Sequence, residues 1–183
     1  MTAQELVRGF APENELERAL AEDPVLLEGL AWGAPRSGHP EGAVANHVAD
    51  LLERIDEWGE EEPRRSELRL ISLIHDSRKH RVHEWLPHWG PNHHAKRARR
   101  FAERYLDDER LLSTIELHDR PYSLWKRMRR RGRLDEGAFG RMLERLADPA
   151  LFLRFVELDG STEGKDPRPI EWLGDELRRR GAL

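Results

Sequence analysis

The sequence predicts an all-α fold, because its composition and its apolar periodicity both favour helices. Its 183 residues include 26 leucines and 16 alanines, against only 14 valines, isoleucines and threonines combined. Leucine and alanine favour helices, whereas strands favour β-branched and aromatic side chains. The chain is also long enough to bury a sizeable core. We therefore expect a compact single-domain helical bundle over residues 1–183.

Composition and charge exclude several other classes of protein. The chain has no cysteine, which excludes disulfides, iron–sulfur clusters, zinc ribbons and thiol nucleophiles. No apolar run approaches the roughly 18–20 residues that span a bilayer, and the N-terminus lacks a basic-then-apolar signal pattern. We expect a cytoplasmic protein without a membrane partner. The 31 basic and 35 acidic residues nearly balance, which argues against a disordered tail.

The first half of the chain alternates between predicted helices and turns. Apolar residues recur at steps of three and four through the best-patterned helix, where Val44, Val48 and Leu51 share one face with His47. A loop that follows, over residues 80–92, is long enough to be unusual in a compact domain, and such loops are usually functional. The predicted helices cover residues 15–21, a segment from residue 24, residues 41–58, and an apolar run ending at His75-Asp76.

The second half is helical almost throughout. Asp135 is placed to cap one helix, and Asp148 followed by Pro149 is placed to open the next. A polar loop is expected over residues 160–169. The predicted helices cover residues 93–106, 108–117, 122–133, 135–146, 149–158 and 170–180.

Four histidines and two aspartates fall on or at the ends of these apolar helices. Each one alone is typical of a helix cap or a satisfied surface group. Together, however, four imidazoles and two carboxylates are what a pair of divalent metal ions requires. Histidine on the apolar face of a helix also needs a partner or a metal. The candidate ligands are His47, His75, Asp76, His94, His118 and Asp159.

The order of these six residues resembles the HD-domain superfamily of metal-dependent phosphohydrolases. The local segments that carry the resemblance are HPEGAVANHVADLLERI, LRLISLIHDSRK, GPNHHAKRARRFAERYL, LLSTIELHD and LFLRFVELDG. The resemblance covers about residues 39–160, which would form an HD core with helices from residues 1–32 and 169–181 packed on it. One departure is Arg78, at a position where the family often has glycine before the lysine.

The resemblance implies a two-metal centre and a set of roles. His47, His75, Asp76 and Asp159 would hold one ion. Asp76 would bridge to a second ion held by His94 and His118. Small residues four and eight positions later, Ala98 and Ala102, favour His94 over its neighbour His93 as the ligand. The cofactors would be two divalent transition metal ions, from among iron, manganese, cobalt, nickel and zinc.

The implied reaction is hydrolysis of a phosphate mono- or diester through a metal-bridged water, with a nucleotide or a nucleic-acid end as substrate. Asp76 and Lys79 would be catalytic, and Lys79, Arg120 and Arg127 would contact the substrate. The partner would thus be a phosphorylated small molecule or a nucleic-acid end.

Two alternatives stay open at the level of sequence. One is a mixed-valent diiron oxygenase with the same ligand pattern, and the other is a non-catalytic domain that senses a nucleotide or binds a partner. The basic stretch over residues 122–133 is interpreted either as a solvated helix or as a rim that attracts phosphates. Stacking aromatics interleaved with its charges are not expected. Histidines 39, 80, 83 and 88 are interpreted as substrate-facing or as plain loop residues.

Overall fold

A computed structural model describes residues 1–35, 42–87, 90–162 and 164–183 of the chain. Over these residues it is helical, with no strand, which confirms the predicted all-α class. Two short 3₁₀ turns, Lys79–Arg81 and Gly90–Asn92, interrupt the segment before the sixth helix. The helices are α1 (Ala3–Leu6), α2 (Glu15–Glu22), α3 (Pro24–Leu30), α4 (Val44–Glu57), α5 (Arg64–Ile74), α6 (His94–Ala102), α7 (Glu109–Leu117), α8 (Arg120–Arg131), α9 (Glu136–Leu143), α10 (Pro149–Gly160) and α11 (Arg168–Arg179).

Most predicted helices are present, and the differences lie at their ends. The caps are confirmed: the side chain of Asp135 accepts a hydrogen bond from Ala138 N, and that of Asp148 accepts one from Leu151 N. Helix α8 begins two residues before its predicted start, because Pro121 suits a first turn where a backbone N–H has no helical partner. Helices α6 and α9 end earlier than predicted, and α1 was not predicted.

Helix α10 joins two hydrophobic clusters and thereby places the end that carries Asp159. Its residues Leu151, Phe155 and Leu158 belong to a cluster built mainly from α2 to α7. Phe152 and Val156, on the other side of the same helix, belong to a cluster with α8, α9 and α11. Because α10 is buried on both sides, its C-terminal turn reaches the interior, and packing on both sides determines its position.

Helix α3 packs closely against the turn that follows α5. A Cβ atom added to Gly29 would stand 1.8 Å from the backbone oxygen of Ser77. Only glycine therefore allows this approach without a backbone shift. Ser77 directly follows Asp76, so α3 supports the turn on which that carboxylate lies.

The start of α3 is held by a buried aspartate. The side chain of Asp23 accepts hydrogen bonds from the backbone N–H groups of Val25 and Leu26, at 2.7 and 3.1 Å. It also accepts hydrogen bonds from Tyr105 Oη and from Arg104. Burial raises the pKa of Asp23, but these donors outweigh burial and lower the pKa below its usual value. The α3 terminus is therefore tied to the segment after α6.

The predicted long loop is pinned by one buried side chain. The Asn92 amide donates hydrogen bonds to the carbonyl oxygens of His83, Leu86 and Pro87, and its oxygen accepts one from His83 N. These bonds hold the loop against the start of α6, where His94 lies. Among the described residues, no helix is both long enough and apolar enough to cross a membrane.

Candidate metal centre

The six predicted ligands converge from five helices onto one centre. His47 projects from the buried face of α4, and Asp159 lies in the last turn of α10. His75, Asp76 and His118 directly follow α5 and α7, while His94 is the first residue of α6. His47, His75, Asp76 and His118 are buried, and the other two are half-buried. Helix ends thus supply most of this site.

On one side of the centre, two histidines face two carboxylates. His47 Nε2 lies 2.9 Å from Asp159 Oδ1. His75 Nε2 lies 3.4 Å from Asp76 Oδ2 and 3.9 Å from Asp159 Oδ1. One potential ligand atom each from His47, His75 and Asp76 lies within 4.8 Å of the others. This group could hold a metal ion, with Asp159 beside it.

On the other side, the second oxygen of the same carboxylate faces two further histidines. Asp76 Oδ1 lies 3.4 Å from His94 Nε2 and 3.6 Å from His118 Nε2. These three residues form a second group that could hold a metal ion. Asp76 is the one residue common to the two groups, and its two oxygens point to opposite sides. A carboxylate so placed has the arrangement of a bridging ligand.

Backbone carbonyls orient two of the imidazoles. The Nδ1 atom of His75 lies 3.0 Å from the Ser72 oxygen, and that of His118 lies 2.9 Å from the Ile115 oxygen. A carbonyl can only accept, so Nδ1 carries the hydrogen and Nε2 faces the centre. The last carbonyls of a helix lack helical partners, which is why histidines just after α5 and α7 find them. Metal-ligating histidines are commonly oriented in this way.

Several ligand atoms in the centre are buried without a hydrogen-bond partner. They are His75 Nε2, His94 Nε2 and Asp76 Oδ1. Leaving a buried polar atom unsatisfied costs about 1–3 kcal/mol, so three together need a physical reason. Cations bound in the two groups would satisfy all three, and imidazole with carboxylate suits iron, manganese and zinc. The residues present therefore fit divalent metal ions.

The protonation of the histidines is set by burial and by the carboxylates. Burial lowers the pKa of His75 and of His94, in each case outweighing the nearby carboxylates. Both are therefore neutral near pH 7, the form that binds a metal. Burial also acts to lower the pKa of His118, but Asp76 and Asp119 outweigh it and raise that pKa to about 9. Without a cation, His118 thus carries positive charge.

Two lysines balance the carboxylates of the centre. Lys79 Nζ lies 2.5 Å from Asp76 Oδ2. Lys165 Nζ lies 2.9 Å from Asp159 Oδ1 and donates a hydrogen bond to the Asp159 backbone oxygen. Sequence reasoning singled out Lys79 and missed Lys165. The available signal was its position in the loop after Asp159, as one of only four lysines in the chain.

The centre opens into a cavity of about 510 Å³. Lys79, Lys165 and five of the six predicted ligands line it, all except His75. Arg120 and Arg127, predicted to contact substrate, are not among the residues that line this cavity. Arg127 instead forms an ion pair with Asp135 at 2.9 Å. The cavity also has an apolar lining, which includes Trp32, Val44, Pro121, Tyr122, Val156 and Ile170.

Beside the second group lies a histidine–aspartate pair whose aspartate, Asp119, lines the cavity. His93 Nδ1 accepts a hydrogen bond from Ala95 N and so caps α6, while His93 Nε2 lies 3.3 Å from Asp119 Oδ2. His94 Nε2 lies 3.4 Å from Asp76 Oδ1 and 3.8 Å from Asp119 Oδ2. His93, His94 and Asp119 thus form a third group that could hold a metal ion. Sequence reasoning missed Asp119, whose signal was its position directly after His118.

Two further histidines, His80 and His83, make their contacts with residues other than the six ligands. His80 Nε2 lies 3.3 Å from Glu28, and the exposed His83 ring lies 4.9 Å from the Trp85 ring. His39 and His88 lie outside the described residues.

Comparison with protein-family models, with curated proteins and with solved structures finds no match to this chain. The chemistry of the site is therefore argued from its own residues.

Proposed function

We propose that this chain is a metal-dependent phosphohydrolase of the HD-domain kind, acting on a phosphate ester of a nucleotide or of a nucleic-acid end. The observation that carries the proposal is the set of buried, unpartnered ligand atoms around a carboxylate shared by two groups. The order of the motifs along the sequence supports the same conclusion.

The residues divide into two ligand sets. His47, His75, Asp76 and Asp159 would hold one cation, and Asp76, His94 and His118 the other. Bound there, the two cations supply positive charge that acidifies water and neutralises phosphate oxygens.

The chain itself supplies two ammonium groups for an anionic substrate. Burial lowers the pKa of Lys79, but the carboxylates of Asp76 and Asp159 outweigh it and raise that pKa above its usual value. Lys79 therefore stays protonated and acts as a hydrogen-bond donor to a phosphate oxygen rather than as a base. Lys165 presents a second ammonium group to the same cavity. Positive charge aimed at a transferring phosphoryl group is worth several kcal/mol.

The cavity also suits the organic part of such a substrate. Its volume of about 510 Å³ falls within the range of small-molecule sites. The apolar lining that contains Trp32 and Tyr122 offers contact area for a base or sugar, while the lysines lie against the carboxylates. One end of the cavity is thus suited to phosphate and its apolar lining to an apolar group.

The test is a hydrolysis screen with the protein loaded with manganese or iron, over nucleoside monophosphates, cyclic nucleotides and phosphorylated oligonucleotide ends. We expect Lys79→Gln to lower kcat/KM by about a hundredfold. The control is Lys96→Gln on α6, a lysine that does not line the cavity, and it should leave kcat/KM unchanged.

Two outcomes would contradict the proposal. Turnover that consumes O₂, occurs with iron but not manganese and releases no phosphate would favour an oxygenase. Full metal content without hydrolysis of any phosphoester would favour a non-catalytic domain.

A further inference from the structure

Positive charge is concentrated on one short segment of this acidic protein. Seven of the fourteen residues from 120 to 133 are basic and none is acidic. Since the net charge of the whole chain is −4, the rest of the molecule carries −11. Such an asymmetry is typical of a surface that meets a polyanion.

Most of these charges are not neutralised by the protein. Many arginines elsewhere are paired, as Arg65 is with Glu13 and Arg99 with Glu109. Within the part of the chain that the structure describes, five basic side chains of this segment are exposed and form no ion pair. They are Lys126, Arg129, Arg130, Arg131 and Arg133.

Aromatic rings alternate with these charges, contrary to the expectation from sequence. Lys126 Nζ lies 4.6 Å from the centre of the exposed Tyr122 ring. The half-buried Trp125 ring has the Arg129 guanidinium at 5.9 Å and the Arg168 guanidinium at 5.6 Å. The expectation failed because residues that are four positions apart in the sequence lie next to each other on one face of a helix.

This face is continuous with the candidate metal centre. A shallow groove of about 730 Å³ is lined by Ser123, Trp125, Lys126, Arg127, Arg129, Arg130 and Arg168. The preceding residues of α8, Pro121 and Tyr122, line the cavity of the centre. Helix α11 makes the same connection, because Pro169 lines the cavity and its neighbour Arg168 lines the groove.

We propose that this face, defined by Tyr122, Trp125, Lys126, Arg129 and Arg130, binds a single-stranded polynucleotide whose end reaches the cavity. Phosphates would pair with the cations, and bases would stack on the two rings. The part of this inference in which the strand end enters the metal centre rests on the proposed function. Of the two substrates proposed there, a polynucleotide-binding face favours a nucleic-acid end over a free nucleotide.

The dimensions and the polarity of the helix favour this ligand over others. Residues 126 to 131 extend about 8 Å along the axis of α8 at helical rise, so the charges are spread over more than one phosphate. A membrane-surface helix presents an exposed apolar face, but here Leu124 is buried in the second hydrophobic cluster. Exposed rings also suit unpaired bases rather than a duplex.

The test measures binding of fluorescein-labelled oligouridylate and oligodeoxythymidylate of about ten nucleotides to the full chain by fluorescence anisotropy. The variant is Lys126→Gln with Arg129→Gln. Its matched control is Arg100→Gln with Arg141→Gln, two exposed arginines on α6 and α9. Loss of two phosphate contacts should reduce the slope of log Kd against log salt by about 1.4. The control should keep the parent slope.

A second pair of variants tests stacking. Tyr122→Leu should weaken binding about tenfold, while Tyr122→Phe, which keeps the ring, should bind as the parent does. Stronger binding of one oligonucleotide than of the other would identify the natural strand as RNA or DNA and would support the inference either way.

Other results would overturn the inference. These are equal salt slopes for the two double variants, or binding to phosphatidylglycerol vesicles without binding to either oligonucleotide. Because binding is measured apart from turnover, a chain that binds oligonucleotides but hydrolyses nothing contradicts the proposed function alone. A chain that hydrolyses nucleotides without binding oligonucleotides contradicts this inference alone.

Discussion

The shared carboxylate makes metal content sensitive to which ligand is removed. Asp76 belongs to two candidate groups, of which one contains His47 and the other His94. We therefore expect about two metal equivalents per chain in the parent protein. His47→Ala and His94→Ala should each retain about one, and Asp76→Ala should retain none. Elemental analysis by mass spectrometry after equilibration with manganese measures this directly.

The same variants should differ in thermal stability by amounts that can be worked out. A cation present at a hundred times its Kd stabilises the folded chain by about 2.7 kcal/mol per site. For a domain of this length, 1 kcal/mol shifts Tm by about 2–4 °C. One occupied site should therefore raise Tm by about 5–11 °C, and two occupied sites by about 11–22 °C. The cation-dependent rise in Tm should be halved in His47→Ala and in His94→Ala.

The assay compares melting curves with manganese and with EDTA, so that each variant serves as its own reference. His83→Ala is the control, because His83 is exposed and outside both groups. If Asp76→Ala does not fold, Asp76→Asn preserves the side-chain volume and tests the same charge. The reasoning would be refuted by an Asp76 variant that keeps the rise in Tm, or by a His47 variant that loses all of it.

Two further predictions concern packing and pH. Gly29→Ala should lower the unfolding free energy by about 1–3 kcal/mol, since its Cβ would stand 1.8 Å from Ser77 O. Urea unfolding measures this loss. The control is Gly140→Ala, where an added Cβ would meet nothing within 4 Å, and it should not destabilise the chain. Equal losses of unfolding free energy in the two variants would contradict the packing argument. The pKa of Asp23 is lowered in the folded chain. Its contribution to the unfolding free energy is therefore fully present above the pKa of about 3.9 in the unfolded chain, and it is lost as the pH falls through the lower pKa of the folded chain. Asp23→Asn keeps an oxygen for the cap but loses the carboxylate oxygen that accepts from Tyr105 and Arg104. It should therefore lower the unfolding free energy by about 1–3 kcal/mol at pH 7, and a gap that does not narrow as the pH falls below about 3.9 would count against this.

The sequence predicted the helices well because the signals for them are local. The caps at Asp135 and Asp148 act on N–H groups within three residues, and apolar periodicity acts within a few turns. The errors lie at helix ends, where capping and tertiary contacts compete. The early ends of α6 and α9 show this, as does α1, which is only four residues long.

The candidate site was predicted in its residues but not in its surroundings. The six ligands stood out because histidine and aspartate on apolar helices need compensation, and their roles stay a prediction. Lys165 and Asp119 were missed because their signal, a position close after a predicted ligand, is weak and is shared by solvated residues. Only the fold shows that Lys165 reaches Asp159 and that Asp119 faces His93.

By itself, then, the sequence determined the helical class, the order of the helices and the residue types available to a metal. The tertiary structure alone decided that His47 and Asp159, separated by 112 positions, lie 2.9 Å apart. It also decided that the basic face of α8 continues into the cavity. The physical reason is the distance along the chain over which each interaction acts. A helix is specified by hydrogen bonds and apolar periodicity among residues that are close in sequence. Distances between helices depend on how the side chains of α10 pack against both hydrophobic clusters.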